Sequence, residues 1–290
     1  MRVTDFRMID AALSKVMQAR ERASDAADVA SGGQKVSRPS QDLAAWGDGV
    51  RARARKTMSE ARGQAIGRAR DRLAQVDSAF TDLQTILGRV TELSVQMANA
   101  PASGADRLNA AVEVRALQAS ALALVNARGP DGEYLLAGSR GTVQPFSAPS
   151  TYAGDALTRT IETGEGARMV ASLPGTALTL TSGVDVLGVL ETMSLALEQN
   201  NLVNLRAGLD TLNTGIDQLA QAHATVGYRM RALDEADDYR RQFELNLDAL
   251  AQRSLEGDQT LAVSEMLRAK ITLENAHTVA GAVNKLLQGG

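Results

Sequence analysis

Hydrophobic side chains recur at alternating steps of three and four residues along most of this chain, which is the spacing of one face of an α-helix. The stretch from residue 43 to residue 99 is helical in composition, and its second half is sharply periodic. The periodic positions are Leu73, Val76, Phe80, Leu83, Leu87, Val90, Ser94 and Met97. This pattern predicts a long helix that packs against other helices in a coiled coil or bundle.

The same step returns in the second half of the chain, after a shorter predicted helix at residues 106–126. It holds from residue 202 to residue 233 and continues more loosely to residue 250, before Glu256, Gly257 and Asp258 interrupt it. A helix of this length suits an elongated bundle. We predict a rod whose core contains Leu73, Val76, Phe80, Leu83, Leu87, Leu209, Leu212, Ile216, Leu219 and Val226.

Both ends of the chain carry weaker helical stripes, and Arg20 interrupts the N-terminal one. The N-terminal positions are Phe6, Ile9, Leu13, Val16, Ala23, Ala27 and Ala30, and the C-terminal positions are Met266, Ala269, Leu273, Ala276, Ala280, Val283 and Leu287. Burial of a leucine stabilises by about 1.5–3 kcal/mol, whereas an alanine methyl gives about 0.8 kcal/mol. We therefore predict that these positions form an assembly interface, and that the end helices become ordered between neighbouring subunits.

Two local signals connect the first helix to the next. Gly32 and Gly33 are expected to end the first helix. Pro39 favours an extended backbone before it, so residues 34–42 are predicted to form a loop. Ser40 is the predicted N-cap of a helix that begins near Leu43.

The character of the chain changes between residues 133 and 185, where glycine and threonine are frequent and three of the six prolines lie. Short runs at 134–137, 158–163, 168–171 and 177–180 resemble strands between turns. The predicted fold is therefore mainly α, with an elongated antiparallel helical bundle or coiled coil formed by both chain ends and a small β-rich insertion in the middle. The predicted domains are a terminal layer (1–42 with 256–290), a helical rod (43–132 with 186–255) and an outer insertion (133–185).

Composition narrows the choice of function. The 290 residues are 44% hydrophobic and 22% charged, as in an ordinary water-soluble protein, but only 3% are aromatic. The net charge of −3 gives the chain as a whole no preference for nucleic acid, and the absence of cysteine excludes disulfides and thiolate sites. No run approaches the roughly 18 consecutive apolar residues of a membrane span, and the first 30 residues lack the apolar core of a Sec signal peptide.

The sequence suggests no catalytic, metal-binding or cofactor-binding residues. Two histidines are too few for a histidine metal site, and His223 lies on an apolar stripe where a packed side chain is expected. The acidic residues 234–238 are consistent with a cation site or with a solvated helix face beside Arg240 and Arg241. The basic residues of the segment 51–72 are consistent with nucleic-acid binding, but an inter-subunit charge contact or solvated surface is the preferred interpretation.

Several segments resemble the bacterial flagellin family, and within it the hook-associated proteins of the hook–filament junction. They are residues 1–4, 33–42 (Gly-Gln-Lys-Val-Ser-Arg-Pro-Ser-Gln-Asp) and 132–139 (Gly-Glu-Tyr-Leu-Leu-Ala-Gly-Ser), together with the Val-Gly-Tyr-Arg and Glu-Gly-Asp elements at 226–229 and 256–258. The positions of the family-like loop are Lys35, Arg38, Pro39, Ser40 and Asp42. Gln41 stands where the family typically has Asp, and Leu136 where it has Phe.

The resemblance implies a structural subunit, not an enzyme, whose end helices form an inner coiled-coil layer in a ring of identical copies. It implies contacts with the hook-side junction protein and with flagellin, and a cytoplasmic export chaperone on the C-terminal helix. It also implies type III export without a cleaved signal peptide and a location outside the cell. Cofactors, nucleic acid, membrane and small-molecule substrates are not expected.

Two alternatives remain open at this point. The first is a short flagellin, the filament subunit itself. The second is an intracellular coiled-coil module that binds nucleic acid through residues 51–72.

Overall fold

A computed structural model describes residues 3–99, 102–256 and 259–288. Its helices are α1 (Val3–Gly32), α2 (Leu43–Asn99), α3 (Gly104–Val125), α4 (Val186–Glu198), α5 (Leu202–Leu255) and α6 (Gln259–Gln288). Its strands are β1 (Phe146–Ser147), β2 (Thr151–Tyr152), β3 (Thr160–Gly164) and β4 (Ala167–Val170). The predicted fold class, mainly α with a small β-rich insertion, is confirmed.

Contacts divide the chain into two compact units. One unit consists of Met1–Met58 and Gln242–Gly290, and the other of Ser59–Arg241. The long helices α2 and α5 therefore contribute to both. This division does not test the three-domain scheme, which stays a prediction.

One hydrophobic cluster forms the core of the unit Ser59–Arg241, and it includes side chains from α2, α3, α4, α5 and the insertion. The periodic side chains of α2 are fully buried from Leu73 to Val90, with exposed fractions of 2% or less. On the part of α5 within this unit, the fully buried leucine and valine side chains lie seven residues apart, at Leu205, Leu212, Leu219, Val226 and Leu233. The 3–4 pattern does not describe α5 fully, because Leu209 and Ile216, which it places in the core, are half-buried and pack against this cluster.

The insertion contains two separate antiparallel hairpins, β1–β2 and β3–β4. The predicted strand at residues 134–137 is wrong: Tyr134 forms only an isolated bridge to Arg128, the next three residues lie in a turn and a bend, and all four side chains are buried, so they do not alternate between two faces. The predicted strand at 177–180 is also wrong, because Pro174 precedes two 3₁₀ turns, Gly175–Leu178 and Leu180–Ser182. The runs at 158–163 and 168–171 correspond to β3 and β4, whereas β1 and β2 are too short to show a period.

Helix α3 is long and apolar enough, by length and composition, to cross a membrane, which a count of consecutive apolar residues does not indicate. In the structure α3 packs along α4. Its Glu113 accepts from Arg89 of α2 at 2.9 Å, and its Arg115 pairs with Glu198 at the end of α4. These contacts are those of a helix in a protein bundle.

Candidate assembly site

The two chain ends meet as a pair of helices, because α1 packs along α6. Of the side chains that the structure describes in this pair, only Ala19 and Ala262 are buried, at 6% and 3% exposure. The predicted interface positions that are half-buried are Val16, Ala23, Ala27, Ala30, Met266, Ala269, Leu273, Ala276 and Ala280. The side chains of Phe6, Ile9, Val283 and Leu287 lie outside the described set. Whether these positions contact neighbouring subunits stays a prediction.

The interruption of the N-terminal stripe has a simple structural reason. Arg20 is exposed, and its neighbour Ala19 takes the buried position, so the steps run from Val16 to Ala19 to Ala23. Sequence reasoning missed Ala19 because its stripe stepped from Val16 to Arg20, and it missed Ala262 because its C-terminal stripe began at Met266.

The helix pair also presents apolar side chains on its outer faces. On α1, Leu13 is 57% and Met17 is 66% exposed. On α6 the exposed set is Leu261, Val263, Leu267, Ile271 and Val279. Leu13 and Met17 are one turn apart, as are Val263, Leu267 and Ile271, so each set forms an exposed apolar row that can mark an interaction site. Leu13, predicted as part of one stripe with Val16, is largely exposed, whereas Val16 is half-buried.

The family-like loop begins where the sequence predicts. Gly33 adopts a positive φ of 68°, and its N–H donates to the carbonyl oxygen of Val29 at 2.8 Å, which ends α1. The next residues turn back onto the end of α5, since the N–H groups of Lys35 and Val36 both donate to the carbonyl oxygen of Leu255, at 2.7 and 3.1 Å. Val36 is buried, at 3% exposure.

The side chain of Gln41 holds the middle of this loop together. Its Oε1 accepts from the backbone N–H groups of Ser37 and Arg38, at 2.8 and 3.2 Å. Lys35, Arg38, Pro39, Ser40 and Asp42 are all exposed. The departure from the family pattern at position 41 therefore supplies a longer side chain that reaches two backbone donors.

The predicted N-cap of α2, Ser40, is wrong. Ser40 lies in a turn two residues before the helix cap position. Asp42 caps α2 instead, because its Oδ1 accepts from the N–H of Ala45 at 2.9 Å. The helix starts at Leu43 as predicted, so the residue just before it is the one placed to cap.

The basic segment of α2 is largely engaged within the chain. The ion pairs join Arg51 to Asp48, Lys56 to Asp248, Arg62 to Glu162, Arg70 to Asp234 and Arg72 to Asp131. The acidic segment of α5 is engaged in the same way, since Arg240 and Arg241 pair with Asp237. Among the residues that the structure describes, no group of three or more His, Asp or Glu side chains is arranged to hold a metal ion.

The two histidines have different surroundings. His223 places Nε2 2.7 Å from Oδ1 of Asp77, and its ring lies edge-on to Phe80 with centroids 6.2 Å apart. His277 is exposed on α6. His223 is thus half-buried, with Asp77 and Phe80 as its partners.

The family-like phrase at residues 132–139 anchors the insertion. Tyr134, Leu135, Leu136 and Ala137 are buried, and Nη2 of Arg72 donates to the carbonyl oxygen of Tyr134 at 2.6 Å. Burial lowers the pKa of Arg72, and the positive charge of Arg159 lowers it further. Arg72 thereby ties the start of the insertion to α2.

A second polar centre orders the loops of the insertion. Asp155 accepts from the backbone N–H of Ser139 at 2.8 Å and from its hydroxyl group. The hydrogen bond from the Ser139 hydroxyl, and after it the one from the Ser139 N–H, hold the pKa of Asp155 below its usual value. The hydroxyl of Tyr152 donates towards the carbonyl oxygens of Leu136 and Asp155, at 3.0 and 2.9 Å, and burial raises the pKa of Tyr152 to about 12.

No protein-family profile matches the sequence, and none of the curated proteins matches it in sequence. Solved structures do match the fold. A protein from Vibrio parahaemolyticus described as a flagellar hook-associated protein is 17% identical, with a TM-score of 0.69 over 74% of this chain and 100% of that chain. The chain shares the fold of flagellar hook-associated proteins.

Two further structures support that fold. Hook-associated protein-3 from Legionella pneumophila is 14% identical, with a TM-score of 0.62 over 70% of this chain and 97% of that one. FlgL from Bacillus cereus is 19% identical, with a TM-score of 0.59 over 68% of this chain and 97% of that one. The likeness thus extends over nearly the whole of these hook-associated chains.

Proposed function

We propose that this chain is a structural subunit of the bacterial flagellum, which forms the junction between hook and filament through helix–helix packing of its ends. The observation that carries the proposal is the fold likeness to hook-associated proteins, over 97–100% of the length of the three compared chains. The helix pair α1–α6, with its exposed apolar outer faces, supplies a surface that a neighbouring helix can cover.

The proposed partners follow from this place in the flagellum. They are further copies of the chain in a ring, the hook-side junction protein, flagellin and an export chaperone that holds the C-terminal helix. The subunit is exported by the flagellar type III apparatus and acts outside the cell, without catalysis. The predicted interface side chains on α1 and α6 are the residues we propose to make the subunit contacts.

The structure gives the nucleic-acid alternative less support than the sequence does. Five basic residues of the segment 51–72 form ion pairs with carboxylates elsewhere in the chain. Phosphate binding would have to displace these pairs, which lowers the affinity only modestly because most of the pairs are exposed and weak. Binding of the purified chain to DNA at low salt would revive this alternative.

Deletion of the gene in the source bacterium tests the proposal. Without a junction subunit, cells should keep their hooks and shed flagellin into the medium, and labelling of wild-type cells should mark the base of each filament. A short flagellin would instead be labelled along the filament, and its loss would leave hooks with no flagellin of this kind in the medium. Normal filaments on the deletion strain would overturn both.

A further inference from the structure

A groove lies between the first turns of α2 and the last turns of α5, with a volume of about 370 Å³. Its floor contains the buried side chains of Ala52 and Leu247. Met58 and Leu250 line its sides and are 58% and 44% exposed. This volume is near the lower end of ligand pockets, about 300–1,000 Å³, and suits the ends of a few side chains.

The rim of the groove is basic. Arg51 and Arg55 both line it and both are exposed. Arg51 pairs with Asp48 at 2.5 Å, but with side chains 73% and 50% exposed this pair is weak and can be exchanged. A partner that fits the groove should therefore combine aliphatic side chains with carboxylates beside them.

Helix α1 presents a ridge of this kind on its outer face. Leu13 and Met17 lie one turn apart and are both largely exposed. Asp10 and Glu21 are exposed, have no partner among the described residues, and lie within about 40° of Met17 around the helix. Arg20 lies on the same face, about 20° from Leu13 and about 60° from Met17 around the helix, so the ridge with Asp10, Glu21 and Arg20 carries a net charge of −1.

The exposed row on α6 fits the groove less well. Val263, Leu267 and Ile271 lack an excess of acidic neighbours, because Lys270 and Glu274 both lie close to this row and their charges cancel. The net negative charge of the α1 ridge therefore makes α1, and not α6, the better match for the basic rim of the groove.

We propose that the α1 ridge of one copy docks into the groove between α2 and α5 of the next copy. Leu13 and Met17 fill the apolar part of the groove, and Asp10 and Glu21 face Arg51 and Arg55. The ridge and the groove are different surfaces, so the contact is head-to-tail, and repetition of such a contact closes a ring or extends a helix. This inference rests on the proposed assembly of identical copies, and it names the surfaces that meet.

The chain has no cysteine, which allows a direct test with two single-cysteine variants. Cells of the source bacterium express Met17→Cys and Leu250→Cys chains with different tags in place of the wild type. Isolated flagella are treated with a short bis-maleimide, and a dimer that carries both tags is expected. Because each chain holds one cysteine, this product can arise only between copies.

Gln18→Cys is the matched control for Met17→Cys. It is exposed on the same helix but lies about 100° around it, so its mixed product with Leu250→Cys should be absent. Glu21→Arg in the first chain should lower the mixed product about two- to fivefold, and Arg51→Glu in the second should restore it.

The outcomes separate this inference from the proposed function. Motile cells without the mixed product overturn the docking while the junction role stands. A dimer joined only through two Met17→Cys chains also overturns it, because the ridges then meet each other. Normal filaments after gene deletion overturn the proposed function itself.

Discussion

Leu255 at the end of α5 packs directly on the backbone of Gly49 in the second turn of α2. A Cβ atom added to Gly49 would lie 2.7 Å from Cδ2 of Leu255 and closer still to its Cγ and Cδ1. Leu255 is 1% exposed, and its carbonyl oxygen accepts from Lys35 and Val36 of the loop. One residue thus joins α2, α5 and the loop that leads to α1.

Gly49→Ala should therefore destabilise the unit that holds the chain ends. Leu255 is fixed by burial and by its two hydrogen bonds, so the clash should cost about 1–3 kcal/mol in free energy of unfolding. Gly47→Ala is the matched control, since its Cβ would lie an ordinary 3.7 Å from the exposed Arg51, and it should gain up to about 1 kcal/mol. Urea unfolding measures both, and equal effects would contradict the packing argument.

The start of α2 gives a second test. Asp42→Ala removes the acceptor of the Ala45 N–H and should destabilise the helix by about 1 kcal/mol. Ser40→Ala should change stability by only a few tenths of a kcal/mol, because this exposed residue makes no capping bond. Urea unfolding of both variants tests the assignment, and a larger loss at Ser40 would return the cap to that residue.

Helix starts and ends followed from the sequence because they depend on local chemistry. Gly33 and Pro39 act through their own backbone preferences, so the end of α1 and the start of α2 were predicted correctly. The capping residue was not, since Ser40 and Asp42 are both good caps and only the path of the loop decides between them. The strand at 134–137 failed for a related reason, because its burial depends on α2 and on the rest of the insertion.

Close packing of small residues was the second feature that the pattern did not reveal. Gly208 of α5 is buried, and a Cβ atom there would overlap Sδ of Met193 on α4. A hydrophobic pattern gives no weight to glycine, so it assigned Leu209 to the core, and the structure leaves Leu209 half-buried. Where a side chain of one helix packs on the backbone of another, as Met193 does at Gly208, a glycine in the sequence marks the contact.

Gly208→Ala should accordingly destabilise the unit Ser59–Arg241 by about 1–3 kcal/mol, because Met193 is fully buried and must repack. In a Met193→Ala background, which itself should cost about 2–5 kcal/mol, the added methyl has room and its penalty should vanish. Gly227→Ala, with nothing within 4 Å of its Cβ, is the control. Additive effects in the double variant would exclude the contact.

Limited proteolysis tests the weak burial of the chain ends. Trypsin should cut first at exposed sites in the helix pair, such as Arg22 and Lys270, because only Ala19 and Ala262 among its described side chains are buried. The segment from about residue 59 to 241 should persist much longer. Mass spectrometry of timed digests shows the order of the cleavages. Chain ends as resistant as residues 70–240 would contradict the prediction that the end helices become ordered only between neighbouring subunits.

The insertion should respond to acid through Asp155. Its pKa in the folded chain is lowered by the hydrogen bonds from Ser139, so its stabilising effect is complete above the unfolded value of about 3.9 and is lost as pH falls through the lowered pKa. Asp155→Asn should therefore be less stable than the wild type at pH 7, and the difference should shrink towards zero in acid. Asp82→Asn, an exposed carboxylate with no partner among the described residues, should differ little from wild type at either pH. Hydrogen exchange of the insertion amides measures the effect, and a difference that persists in acid would mean that the ionised carboxylate is not its source.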